Sequence, residues 1–111
     1  MKKELRVCKN YEFSSIIQKR QFVKSPAFVC YYQKRKEEHA RVGISVGKKL
    51  GNAVHRNKIK RQVRSMIDSL YNFKEEYDTI IIVRPPYLKR TYQENIEELK
   101  MDKTRIEKKI G

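Results

Sequence analysis

The order of apolar and polar positions along the chain predicts seven elements, α-β-β-β-α-β-α. Residues 10–17 are typical of a short amphipathic helix, because Phe13, Ile16 and Ile17 fall on one face. Three strands rich in β-branched and aromatic residues follow, at 21–25, 27–33 and 40–46. The charged turn between the last two strands indicates that they pair as an antiparallel hairpin.

The second half of the pattern predicts two helices separated by one buried strand. Residues 52–71 should form the first helix, with Asn52 as its N-cap and an apolar stripe at helical spacing. Residues 78–83 hold four consecutive apolar residues without alternation, which is typical of a central strand covered on both faces. A second helical pattern begins at Tyr92. Because a strand-helix-strand unit needs a crossover, at least one strand pair should be parallel.

These elements predict an α+β fold in a single domain spanning 1–111, a two-layer α/β sandwich around a mixed four-stranded sheet. No apolar run is long enough to predict a membrane-spanning helix. Cys8 and Cys30 are interpreted as free thiols of a cytoplasmic protein, since nothing else indicates secretion. Their spacing to His39 and His55 fits no zinc pattern. We therefore expect no metal site in the chain.

Charge changes this picture, because the formal net charge is +14 and its distribution is uneven. Residues 1–64 contain 18 Lys and Arg against 4 Asp and Glu, whereas residues 65–111 contain 9 of each. Such an excess repels itself in a compact protein and is typical of a chain that binds a polyanion. The partner could be a nucleic acid, an anionic membrane or an acidic protein.

The excess is densest over residues 48–64, which hold seven Lys or Arg and no acid. One side of the predicted helix is apolar, so its cations collect on the other side. Free N–H groups at the helix start also favour anions. The plainer interpretation is a solvated helix face, but such faces usually interleave acids. A membrane-surface helix would carry Trp or Phe on its apolar side, and this one is aliphatic.

The sequence of residues 41–61 is RVGISVGKKLGNAVHRNKIKR, and it closely resembles the signature of the bacterial ribonuclease P protein component. Arg56, Asn57, Arg61 and Arg64 match the arginine-rich motif of that family. The spacing of Leu5, Lys9 and Phe13 resembles its opening. The resemblance extends to about residue 85, and a match of this length is far more specific than a short motif.

The resemblance implies a ribonucleoprotein that removes the 5′ leader from precursor tRNA. Its RNA subunit would hydrolyse the phosphodiester with Mg²⁺, and the protein would supply no catalytic residue. The protein's partners would be the catalytic RNA and precursor tRNA, with no DNA and no membrane. The family fold also implies a left-handed strand-helix-strand crossover, against the usual right-handed rule.

Two sets of site residues follow from the resemblance. The set expected to bind the RNA subunit is Lys48, Lys49, Asn52, Arg56, Asn57, Lys58, Lys60, Arg61 and Arg64. The leader is expected in a cleft between the first helix and the sheet, lined by Phe13, Ile17 and Tyr31, where Ile17 replaces a frequent aromatic. Strand alternation adds Gly43 and Ser45 as a shallow floor beside Tyr31. Ordinary core packing is the alternative for Phe13 and Tyr31.

Two other functions remain open on the residues alone. A stand-alone nuclease would need an acid-base pair or a carboxylate metal cluster, and the four acids of the basic half lie outside residues 48–64. A structural RNA binder, such as a ribosomal protein, fits the composition equally well. Only the resemblance separates the leading hypothesis from this one.

Overall fold

The computed structural model describes residues 2–7 and 9–110, so Cys8 lies outside the described residues. Within them the α-helices are α1 (Asn10–Gln18), α2 (Ala53–Leu70) and α3 (Tyr92–Ile110). The strands are β1 (Phe22–Lys24), β2 (Phe28–Lys34), β3 (Val42–Val46) and β4 (Tyr77–Val83). Short 3-10 turns occupy Lys3–Leu5, Lys48–Leu50 and Pro85–Lys89. The predicted order α-β-β-β-α-β-α is confirmed.

The four strands form one mixed sheet in the order β1-β2-β4-β3. β2 pairs antiparallel with both β1 and β4, and β3 pairs parallel with β4. The predicted hairpin between β2 and β3 is therefore wrong, since β4 lies between them. Alternation shows which residues share a face, but it does not identify the neighbouring strand. β4 takes the central place because its apolar run can be buried on both faces.

The β3–α2–β4 crossover joins the parallel pair that the sequence predicted. Its left-handedness stays a prediction from the resemblance. The chain before α1 extends the sheet at the outer edge of β3, where Arg6 bridges Val42 in parallel and the Val7 N–H donates to the Val42 carbonyl at 3.2 Å. This short pairing covers the first part of an edge strand that would otherwise be exposed.

The larger core lies on the sheet face covered by α2 and α3. Ile59, Val63, Met66 and Ile67 of α2 pack there, as the helical stripe predicted. Phe28 and Cys30 of β2, together with Ile81 of β4, supply buried side chains from the strands, and Cys30 is a free thiol. The sheet and the two helices on this face form the two-layer α/β sandwich that the sequence predicts.

The opposite sheet face carries a smaller core beneath α1. Val7, Ile16 and Ile80 are buried there, with Phe13, Tyr31 and Ile82 packed against them. α1 has only nine residues, so it covers part of this face and adds an incomplete third layer to the sandwich. We call this side of the sheet the α1 face; it includes Phe22, Val29, Tyr31, Gly43, Ser45, Ile80 and Ile82.

α3 is fixed to the sheet by a partly buried polar cluster. The Ser25 hydroxyl lies 2.6 Å from Asp102 Oδ2 and 3.0 Å from Glu98 Oε2, and the Ala27 N–H donates to Glu98 at 2.6 Å. Burial raises the pKa of Asp102, although the bonds from Ser25 and Arg105 act in the other direction. These bonds explain why a helix rich in mixed charge packs tightly against the sheet.

Candidate nucleic-acid interface

The basic face of α2 and the turn before it present most of their polar side chains to solvent. Of the residues expected to bind the RNA subunit, six are exposed: Lys48, Lys49, Asn52, Asn57, Lys58 and Arg61. Arg56, Lys60 and Arg64 are half-buried. The Nε atoms of Arg56 and Arg64 are buried and have no hydrogen-bond partner among the described residues.

The ion pairs of four other cations lie away from this face. Arg41 pairs with Glu12 and Asp78, and the remaining three cations pair with acids on or beside α3. These three cations are Arg90, Lys103 and Arg105. The mixed charges of the second half of the chain thus compensate one another locally, whereas the excess of the first half collects at α2.

The start of α2 explains why two lysines lie beside this face. The Asn52 side chain accepts a hydrogen bond from the His55 N–H at 3.0 Å, which confirms the predicted N-cap. Gly51 has φ +125°, a conformation that favours glycine, and it turns the chain sharply into the helix. Buried Leu50 anchors the preceding turn, so Lys48 and Lys49 project next to the helix N-terminus.

The α1 face brings together the sequence-predicted cleft residues in two rows. In one row Tyr31 pairs with Ile80, which pairs with Gly43. In the next row the partners of Ile82 are Val29 and Ser45. Tyr31, Gly43 and Ser45 therefore share one face, as predicted, but Gly43 is two strands away from Tyr31 rather than beside it. At the usual strand spacing that separation is about 10 Å.

Gly43 does not form an open floor, which corrects the sequence-based expectation. A Cβ atom built at Gly43 would lie 2.8 Å from Phe13 Cζ and 2.7 Å from Ile80 Cδ1. The Phe13 ring thus rests directly on the Gly43 backbone, and Gly43 is buried. The glycine therefore makes room for an α1 side chain over this part of the sheet. The open part of the α1 face is instead the half-buried row formed by Val29, Ile82 and Ser45.

Phe22 is an aromatic residue of the α1 face that the sequence analysis missed. It is 40% exposed, and its ring centroid lies 5.2 Å from that of Tyr31. The alternation of Phe22, Val23 and Lys24 could have indicated it, because buried Val23 forces its neighbours to the opposite face. Ile17, expected in the cleft, is half-buried on α1.

A pocket of about 290 Å³ joins the α1 face to the basic helix at the edge of β3. Phe13 and Gly43 line it on one side, and Lys60 and Arg64 of α2 line it on the other. Arg6 is a third basic residue in the lining, and the described residues that line this pocket include no acid. The sequence analysis did not single out Arg6, whose place depends on its bridge to β3.

The described residues contain no helix long and apolar enough to span a membrane. The same residues hold no group of three or more His, Cys, Asp or Glu side chains placed to bind a metal ion. The chemistry that this arrangement supports is the binding of phosphates by Lys and Arg, next to aromatic and aliphatic side chains that can contact bases.

Comparison with known proteins gives one consistent result. The ribonuclease P family model matches residues 1–107. A ribonuclease P protein component from Mesoplasma florum is 48% identical over 101 residues, covering 89% of this chain and 92% of the relative. One from Bacillus mycoides is 42% identical over 116 residues, covering 100% of this chain and 95% of the relative.

Solved structures agree with the sequence relatives. A Staphylococcus aureus RNase P protein mutant with defective mRNA degradation activity superposes with a TM-score of 0.82 at 39% identity, covering 90% of this chain and 86% of that one. The RNase P protein from Thermotoga maritima gives a TM-score of 0.72 at 25% identity, covering 85% of this chain and 90% of that one. The chain therefore belongs to the ribonuclease P protein component family.

Proposed function

We propose that this chain is the RNA-binding subunit of ribonuclease P, and that it holds both the catalytic RNA and the 5′ leader of precursor tRNA. Membership of the family implies a role in tRNA processing within an endoribonuclease. The observation that carries the finer proposal is the pocket that Phe13 shares with Lys60 and Arg64. It makes the aromatic α1 face and the basic helix one continuous surface for an RNA strand.

The basic face of α2 binds the catalytic RNA in this proposal. Four of the seven cations of α2 and the turn before it are exposed, and the ion pairs between α3 and its neighbours lie elsewhere, so phosphates can approach without first breaking them. The planar forks of Arg56, Arg61 and Arg64 suit phosphate oxygens. Each phosphate contact releases counterions, so affinity should fall steeply as salt increases.

The leader lies along the open part of the α1 face. An unpaired strand exposes bases that can stack on Tyr31, Phe22 and the edge of Phe13, and each stacked base contributes about 1–3 kcal/mol. The row formed by Val29, Ile82 and Ser45 is half-buried and leaves room beside these rings. Mature tRNA has no leader, so this contact would separate precursor from product.

The protein contributes binding, and the catalytic RNA holds most of the Mg²⁺ and performs the hydrolysis. The ion would stabilise the developing charge at the scissile phosphate. The chemistry of α2 supports this division, because its Lys and Arg side chains attract phosphates and repel divalent cations. A cytoplasmic location accords with the buried free thiol of Cys30.

The test is cleavage of precursor tRNA by the catalytic RNA at low Mg²⁺, with and without the protein. The protein should stimulate cleavage, and an Arg61→Ala, Arg64→Ala double variant should stimulate it less. Lys100→Ala is the matched control, because it removes an exposed cation from the electrically neutral half of the chain. Absence of stimulation by the parent protein would refute the proposal.

The same experiment should also test a second activity, the cleavage of RNA by the protein alone. The Staphylococcus aureus neighbour is a mutant described as defective in mRNA degradation. The purified protein, free of the catalytic RNA, should leave both precursor tRNA and an mRNA intact if it only binds RNA. Cleavage of either substrate would revive a stand-alone nuclease, and co-purification with ribosomes would favour a structural RNA binder.

A further inference from the structure

Arg41 joins α1 to the sheet through a largely buried ion-pair network that is separate from the basic face of α2. Arg41 is 9% exposed and precedes β3 directly. Its Nη1 lies 2.8 Å from Glu12 Oε2 on α1, and its Nη2 lies 3.6 Å from Asp78 Oδ2 on β4. The Arg41 N–H also donates to Asp78 Oδ1 at 2.9 Å. One side chain thus connects the short helix to the central strand.

The network holds both acids beside a charged guanidinium. Burial alone would lower the pKa of Arg41, but its bonds to Glu12 and its attraction to Asp78 outweigh burial and raise that pKa. The Glu12 side chain is only 16% exposed. The ion pair adds a directional contact to the apolar packing of α1 on the sheet. Removing the Glu12 carboxylate should therefore loosen the hold of the sheet on this helix.

The ion pair between Arg41 and Glu12 lies close to the α1 face, where the leader is proposed to bind. Glu12 precedes Phe13, whose ring rests on Gly43, and Gly43 follows Arg41 by two residues on β3. The ion pair and the ring contact therefore fix the same turn of α1 against the same strand. Since both contacts involve adjacent residues of α1, a shift of this turn away from the sheet would also move the Phe13 ring off Gly43.

We propose that Arg41 is a positioning residue for leader binding, which acts through Glu12 to hold α1 and Phe13 at a fixed height above the α1 face. This inference rests on the proposed function, since it assumes that the leader binds beside Phe13. Arg41 itself does not touch the leader. It sets the width of the space in which the leader lies.

Glu12→Gln tests the idea because charge and position predict opposite results. The change removes a negative charge near an RNA surface, which by electrostatics alone would tighten RNA binding. Loss of the anchor should instead weaken binding of leader-bearing precursor by about three- to tenfold, a part of the factor that one stacked base contributes. Binding of mature tRNA to the same holoenzyme should not weaken. Asp78 remains to pair with Arg41, so the fold should be retained.

The matched control is Glu4→Gln, which removes an exposed acid from the same side of the protein. It should leave precursor affinity unchanged or slightly tighter. Glu12→Asp keeps the charge but shortens the side chain by one methylene, so weakening by this variant isolates geometry from charge. Tighter precursor binding by Glu12→Gln, or equal losses for precursor and mature tRNA, would overturn the inference.

A double variant separates this inference from the proposed function. In a Phe13→Ala background, Glu12→Gln should change precursor affinity by less than about twofold, because the ring it positions is gone. Additive losses would show that Glu12 acts independently of Phe13 and would overturn the inference alone. If neither Phe13→Ala nor Tyr31→Ala weakens precursor binding, the leader does not bind there and the leader-binding part of the proposed function fails.

Discussion

Replacing Gly43 by alanine should destabilise the fold, because the added methyl group has no room. It would meet Ile80 Cδ1 at 2.7 Å, Phe13 Cζ at 2.8 Å and Val7 Cβ at 3.1 Å. Ile80 is completely buried and cannot move aside, whereas Phe13 is half-buried and can be displaced with α1. The strain should therefore be relieved mainly by a movement of the Phe13 ring away from the sheet.

Overpacking of this kind costs about 1–3 kcal/mol. A glycine-to-alanine change also restricts the unfolded chain, which returns about 0.4–1 kcal/mol where the backbone conformation is compatible. We expect a net loss of about 1–2 kcal/mol in the free energy of unfolding, measured by urea denaturation. For a chain of this size each kcal/mol corresponds to about 4–8 °C in Tm.

Gly47→Ala provides the matched control, since a Cβ atom there would meet nothing within 4 Å. It should change the free energy of unfolding by less than about 0.5 kcal/mol. Phe13→Leu should partly relieve Gly43→Ala, because it removes the Cζ atom that clashes. If Gly43→Ala is as stable as Gly47→Ala, the Phe13 ring does not rest on the Gly43 backbone, and the space above Gly43 is open to a ligand.

Three further predictions concern charge, stacking and pH. Arg61→Ala or Arg64→Ala should weaken binding to the catalytic RNA and reduce its salt slope by about one unit for each phosphate that is no longer neutralised, measured in a salt titration. Tyr31→Ala should weaken the binding of leader-bearing precursor by about 1–3 kcal/mol and leave the binding of mature tRNA unchanged, as measured in a binding assay. Burial raises the pKa of Asp102 above the ordinary value of 3.8, so the folded state holds this proton more tightly than the unfolded state. The free energy of unfolding that Asp102 contributes therefore falls as the pH rises from 3.8 through the raised pKa. Asp102→Asn should therefore be more stable than the parent at pH 7, and urea denaturation should show this advantage disappearing as the pH falls below 3.8, the ordinary pKa of the carboxyl group.

The sequence predicted α2 almost completely, because its signals are local. Asn52 caps the helix, and the apolar stripe from Ile59 to Ile67 is buried as helical spacing requires. The cations of the opposite face then follow from the same periodicity. β4 was equally predictable, since an unbroken apolar run needs cover on both faces.

Strand order and close packing could not be predicted, because they depend on contacts between residues far apart in the chain. Alternation placed Tyr31, Gly43 and Ser45 on one face correctly, but it could not show that β4 separates β2 from β3. Nor could it show that Phe13 occupies the space above Gly43, since that contact joins residues thirty positions apart. Arg6 reaches the pocket through its bridge to β3, which no periodicity predicts.

The start of β3 is where these long-range contacts converge, and this has a consequence for how the two RNA surfaces are coupled. Arg41 holds α1 through Glu12, and Gly43 two residues later seats the Phe13 ring. The same strand then leads through the lysine-bearing turn into α2. Because α2 packs on the opposite sheet face, a shift of α1 should reshape the pocket that Phe13 shares with Lys60 and Arg64 but leave the exposed cations of the basic helix in place. Variants at the α1 anchor should therefore change leader affinity while leaving affinity for the catalytic RNA intact.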